Sequence, residues 1–181
     1  MSAHPKFQEE YCKLTEQGVI ITSKDQFLPW LWIFIHHFLR IITFGKMNNF
    51  LTDFTTTIGN HIVFYDGWTP ANAGVRSFVV LRHEGKHVDQ YTKLGFGNPN
   101  FGIIVMGFLY LFIFFPTVLA WFRYFFERSA YLKGIQAWHE VGHYPNPEKY
   151  VEVISGPAYF WCWPFKNSIR KWFRKNLLKG V

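Results

Sequence analysis

Cysteine is scarce in this sequence, which holds only Cys12 and Cys162. Two thiols provide no disulfide framework, and neither stands in Cys-x-x-Cys spacing. A disulfide-stapled secreted scaffold is therefore excluded, and a reducing compartment is expected. Residues 1–26 are mostly polar and lack the apolar core of a secretory leader, so no signal peptide is expected. Charge is missing altogether from Gly102 to Phe122, a run of 21 residues that on length alone qualifies as a membrane span. What the chain has in excess is aromatic side chains, 21% of residues with 21 Phe and 8 Trp. That is more than an ordinary soluble core requires, so lipid or another apolar surface is expected against part of the molecule. At 181 residues the chain suits one domain, long enough to bury a real core.

The chemistry is concentrated in Leu81 to Tyr91, which reads Leu-Arg-His-Glu-Gly-Lys-His-Val-Asp-Gln-Tyr and contains His-Glu-x-x-His. On a helix, residues four apart lie one above the other. His83 and His87 can then offer two imidazoles to one Zn2+ while Glu84 points at the metal's open position. Gln90, two turns after His83 on the same face, is expected to line the same cleft. A catalytic zinc site keeps three protein ligands and leaves the fourth position to water, so one more ligand is required. The best candidate is Glu127, forty residues after His87 on a second segment of helical character, with Tyr131 one turn further on the same face. The Tyr131 phenol is placed to donate to a developing oxyanion or to orient the carboxylate.

His-Glu-x-x-His-x-x-Gln followed by Glu-x-x-Ala-Tyr resembles the gluzincin metallopeptidases, above all the minimal single-domain members. The resemblance covers roughly residues 54–165. It implies Zn2+ ligands His83, His87 and Glu127, with Glu84 as general base. One departure is that thermolysin-like members carry Asp four residues after the glutamate ligand, where this chain has Tyr131.

His139-Glu140-Val141-Gly142-His143 repeats the motif. If one helix runs through residues 117–141, His139 lies about 120° and His143 about 160° around the axis from Glu127, so both point away from it. Gly142 and Pro145 also end that helix, a poor frame for a rigid ligand pair. The first motif is taken as the site.

Along the chain, residues 1–26 read as a surface arm or short helix, and residues 27–44 as a hydrophobic helix relieved only by His36, His37 and Arg40. The paired histidines read as hydrogen-bonded or interfacial residues and are left out of the site. Phe54 to Tyr65 is rich in β-branched and aromatic residues and ends at Asp66-Gly67, which predicts one or two strands. These strands either lie beside a substrate cleft or complete a small sheet. A loop over Pro70 to Ser77 leads into a helix from Val75 to Tyr91, and Leu94 to Asn100 breaks it. A straight span over Gly102 to Phe122 would carry Glu127 about 30 Å from the histidines. Pro116 is therefore expected to break the run into a helical hairpin, with the second helix returning from Thr117. Lys149 to Ile154 reads as a short helix or strand, and Tyr159 to Phe165 as aromatic anchoring or a core plug. In the tail, residues 166–181, Ile169, Trp172, Phe173 and Leu177 fall at helical spacing among basic residues. This pattern lies well on anionic lipid, and no groove-reading motif supports nucleic acid instead.

The expected fold is thus α+β, mainly α, a zincin-like domain over residues 1–181. It holds a small strand element, an active-site helix, a glutamate helix and hydrophobic helices at 27–44 and 102–122. The expected function is a zinc-dependent metallopeptidase at the cytoplasmic side of a membrane. Its expected partners are a peptide or protein substrate and either membrane lipid or a hydrophobic protein. Two rivals are a membrane-associated accessory subunit that retains the scaffold without catalysis, and a hydrolase of non-peptide amides or esters.

Overall fold

The computed structural model describes residues 3–42, 44–45, 49–111, 120–156, 163 and 165–177. Among them the chain forms α1 (Pro5–Glu16), β1 (Ile20–Ser23), α2 (Pro29–Ile42), α3 (Phe50–Asp53), β2 (Thr56–Ile58), β3 (His61–Phe64), α4 (Val75–Leu94), α5 (Pro99–Leu111), α6 (Ala120–Glu140), α7 (Glu148–Ser155) and α8 (Lys166–Leu177). The expected α+β, mainly helical architecture is the one found.

Of the two readings of the first 26 residues, the short helix is the one found, packed into the core rather than lying as a surface arm. In α1, Phe7 and Leu14 are seven residues apart, two helical turns, and both are buried on one face. The β-branched Ile20-Ile21-Thr22 run then forms β1. Its parallel pairing with β3 sets Ile20 against His61 and Ser23 against Phe64. β2 runs antiparallel to β3 on the other side, so the strand order is β1-β3-β2 and Phe54 to Tyr65 supplies two strands rather than one. Lys24, fully buried just past β1, ties this sheet to α3. Its ammonium donates to the Phe50 carbonyl and, at 2.7 Å, to the Phe54 carbonyl. It also lies 3.8 Å from the centre of the Phe50 ring. Burial pushes the Lys24 pKa down to about 8 against the opposing pull of Asp66 and Glu84.

α4 lies at the middle of the molecule, in contact with α1, α5, α6, β2 and β3. Its buried Phe78, Leu81 and Val88 join Phe7 and Leu14 of α1 and Ile62 and Phe64 of β3 in one apolar cluster. Gly85 faces Leu14, where α1 crosses. At its far end a Cβ on Gly102 would stand 1.9 Å from the Tyr91 carbonyl oxygen, so only glycine lets α5 pack this closely. α5 starts where the Asn98 side chain accepts the Asn100 backbone N–H at 2.9 Å, a capping interaction.

α5 and α6 both pack on α4 and on each other, so the two ends of the uncharged run fold back on one helix. The bend expected at Pro116 falls in residues 112–119, outside the described residues. Among the described residues no helix is long and apolar enough to cross a membrane. Of the aromatic stretch 159–165, only Trp163 and Phe165 are described, and Trp163 stacks on Tyr124 with centroids 4.9 Å apart.

The tail helix α8 departs from the expectation of an apolar face laid on lipid. Ile169 and Phe173 are buried against Tyr124, Ile135, Val151 and Ile154 of α6 and α7. The basic side chains are partly committed as well: Lys166 pairs with Glu152 at 2.6 Å and Arg170 with Glu148 at 2.9 Å. The stripe that the spacing reveals is the one that closes the fold.

Candidate metal centre

His83 and His87 project from successive turns of α4, and Glu127 faces them from α6. His83 Nε2 and His87 Nε2 are 3.3 Å apart, and Glu127 Oε2 lies 3.7 Å from the first and 3.6 Å from the second. Ligand bonds of about 2.0–2.1 Å at tetrahedral angles put neighbouring donor atoms about 3.3–3.4 Å apart. The triangle therefore fits three corners of a zinc tetrahedron. Glu127 is buried, and the nearest partners of its Oε2 are the two imidazole nitrogens, at 3.6 and 3.7 Å. A buried carboxylate is costly unless a cation sits against it. Among the described residues this is the one group of three such side chains gathered closely enough to hold a metal ion.

The metal-free charges are uneven. Burial, then the neighbouring His87, hold His83 down to about 3, so it is neutral. Burial would lower His87 too, but the Glu127 carboxylate outweighs it and lifts the imidazolium to about 9. Burial opposes the charge on Glu127, but His87 and its hydrogen bond prevail and draw the carboxyl down to about 2.

No family model, curated protein or solved structure matches this chain. The reading of the centre accordingly rests on its own geometry. Glu84 is buried, and burial pushes its pKa up to about 7. Thr57 on β2 donates to its Oε2 at 2.7 Å, and the Tyr91 hydroxyl donates to the Thr57 carbonyl at 3.2 Å. Thr57, which holds Glu84 here, was not among the residues singled out from the sequence, because a threonine in a strand carries no signal of the helix it will face.

Gln90 does not line the cleft. It is buried behind His87, its Oε1 2.8 Å from His87 Nδ1, while its amide donates to the Phe126 carbonyl at 3.1 Å and to Ser129 Oγ at 2.9 Å. An acceptor on Nδ1 fixes the proton there and leaves Nε2 free to ligate. Gln90→Ala is expected to weaken zinc binding by about ten- to a hundredfold, with Gln90→Glu recovering most of it, as read by competition against a chromogenic chelator.

Tyr131, one turn from Glu127 as expected, sets its ring edge-on to His83 with centroids 4.6 Å apart. It lines a cleft of about 350 Å³ with His83, Glu84, Trp138, Tyr150 and Arg76. Trp138 and Tyr150 were not anticipated, since the chain's many aromatics give no hint of which ones meet. The second motif takes no part. α6 ends at Glu140, Gly142 turns with a φ of 78°, and Glu140 is an ion-pair partner of Arg82. His143 packs on Trp138 at 4.7 Å and His139 on Tyr144 at 4.9 Å.

Proposed function

We propose that the protein is a zinc-dependent metallopeptidase working at a membrane surface. The observation that carries the reading is the 3.3–3.7 Å triangle of donor atoms built around the buried Glu127 carboxylate. His83, His87 and Glu127 would hold Zn2+, which supplies Lewis acidity: it polarises a carbonyl and brings the pKa of a bound water to about 7. Glu84 takes the proton of the attacking water and returns it to the leaving amine. Its raised pKa suits both steps, and the Thr57 hydroxyl holds it in place. Gln90 holds His87 in the ligating tautomer. Tyr131 stands in the cleft wall beside His83, where its phenol can meet an oxygen that gains charge.

A peptide is favoured over other amides and esters by β2. Among the described residues this strand pairs with β3 on one side only, it carries Thr57, and the residues leading into it, Phe54 and Thr55, line the cleft. An extended chain laid along β2 would pass the base, and the aromatic wall suits an apolar side chain.

Purified protein is expected to carry one zinc per chain by elemental analysis and to cleave members of a mixed peptide library. A chelator should stop the cleavage and zinc restore it. Protein lacking stoichiometric zinc would point to the accessory-subunit reading instead, and zinc-loaded protein that cleaves esters but no peptides would reassign the substrate.

A further inference from the structure

α2 has two apolar faces, and among the described residues only one of them is packed. Trp32 is buried and Ile35 and Leu39 pack beside it, against Phe50 and Val63. On the opposite side Trp30, Ile33, Phe34, Phe38 and Ile41 fall within about 140° of arc at 100° per residue, and all five are exposed, Trp30 by 67% and Ile41 by 74%. Phe44 extends the row past the end of the helix and is 93% exposed.

The backbone adds a second, independent observation. Among the described residues, three other than glycine have positive φ: Leu28 at 51°, Phe44 at 51° and Phe96 at 53°. A bulky side chain is strained in that region. At Phe44 and Phe96 the turn is a helix C-cap, closed by the Gly45 N–H on the Arg40 carbonyl and the Gly97 N–H on the Thr92 carbonyl, each at 2.8 Å, where glycine is the usual choice. All three are large apolar groups presented to solvent, Leu28 41% and Phe96 90% exposed. Leu28 and Phe44 bracket α2. Phe96 caps a second apolar tip with Phe101, 6.4 Å away, and Ile104 of α5. The two tips flank the β2–β3 turn, where Phe27 stacks on His61 on one side and Gly59 abuts Ile103 on the other.

Charge selects the occupant. No Asp or Glu occurs from Gln26 to Thr52 or from Gln90 to Phe126, the two stretches that hold these tips, whereas Arg40 and Lys46 lie in the first and Lys93 and Arg123 in the second. Arg40 sits at the rim of the exposed α2 stripe, and the exposed Lys93 precedes Phe96 by one turn. Trp and Phe with a basic residue at the rim of each tip suit the interface of an anionic bilayer.

We infer that the outer face of α2, together with the Phe96 tip, docks the protein on anionic lipid, with α2 lying in the plane of the interface. This inference rests on the membrane-surface half of the proposed function and is independent of the zinc half. The inner face of α2 belongs to the same apolar cluster as Phe54, which lines the cleft.

The test is sedimentation of the full chain with phosphatidylcholine vesicles with and without phosphatidylglycerol. The parent is expected to bind the anionic vesicles and to release as salt rises. Phe44→Gly and Phe96→Gly relieve the positive-φ strain, so each should keep or raise the melting temperature while together weakening vesicle binding by at least about tenfold. A purely structural role for these rings predicts the reverse, lower melting temperature with unchanged binding, and would overturn the inference. So would equal binding to both vesicle types, or a concentration-dependent self-association of the parent in sedimentation velocity that the variants abolish. Zinc content is measured in parallel. Loss of vesicle binding with zinc retained leaves the peptidase reading intact, and vesicle binding by a protein that holds no zinc leaves the docking inference intact.

Discussion

Glu84→Gln protein is expected to hold one zinc per chain as firmly as the parent and to lose hydrolysis by about a factor of 10²–10⁴. The substitution keeps the shape of the side chain and an oxygen for the Thr57 hydroxyl, which donates to Glu84 Oε2 at 2.7 Å. It removes only the ability to accept a proton. Ligation is unaffected because Glu84 is not one of the three gathered donors. A Thr57→Val partner experiment separates placing the base from being the base. The hydrogen bond from Thr57 lowers the pKa of Glu84, so its loss should move the rising limb of the rate–pH profile to higher pH. The sign follows because the base must be deprotonated before it can act. Activity that survived Glu84→Gln would require another base and would remove the mechanism.

Zinc binding to the parent is expected to displace one proton from His87 at neutral pH, beyond those lost by the bound water and Glu84. That proton should add about one unit of log affinity per pH unit until about pH 9. His87 is the source. In the metal-free protein Glu127 overcomes the effect of burial and keeps the imidazolium up to about 9, whereas burial has already left His83 neutral, at about 3. Metal must displace the proton on His87 and none on His83. Glu127→Gln removes both a ligand charge and the group that holds that proton, so affinity should fall at least about a hundredfold and the His87 share of the pH slope between 7 and 9 should vanish. Calorimetry in two buffers of different ionisation enthalpy reads the proton count directly. Unaltered affinity in the Glu127→Gln protein would mean that the carboxylate is no ligand.

The histidine pair could be read from the sequence because a helix makes i and i+4 neighbours whatever surrounds it, whereas Glu127, on another helix, could be named only as a candidate from the Glu-x-x-Ala-Tyr pattern. That rule places His83 over His87 and Glu127 next to Tyr131. Residues that meet across elements left no such trace. Thr57 reaches Glu84 over 27 positions and Gln90 reaches Ser129 over 39. Gln90 shows the limit of the helical rule: its face was foreseen, but what lay beyond that face was not. Apolar stripes share this limit. Those of α2 and α8 look alike as patterns, since periodicity tells which residues are grouped and not what covers them. In the folded chain α6 and α7 cover Ile169 and Phe173 of α8, while the outer row of α2 stays open. The missed strand β1 is short and sits in a polar segment, and its partner β3 lies some forty residues on, so only pairing reveals it.

The dispersal of the centre over β2, α4 and α6 also has a kinetic meaning. The histidine pair exists as soon as α4 does, but the third donor arrives only when α6 docks, and the base is secured only when β2 has found its place beside β3. Contacts between such distant segments form late, after the cost in chain entropy of closing the intervening loops has been met. An ion therefore meets at most two of its ligands on the way to the native state and all three once it is reached. Zinc should act as a latch rather than a template, leaving the rate of folding nearly unchanged and slowing the rate at which the finished protein comes apart.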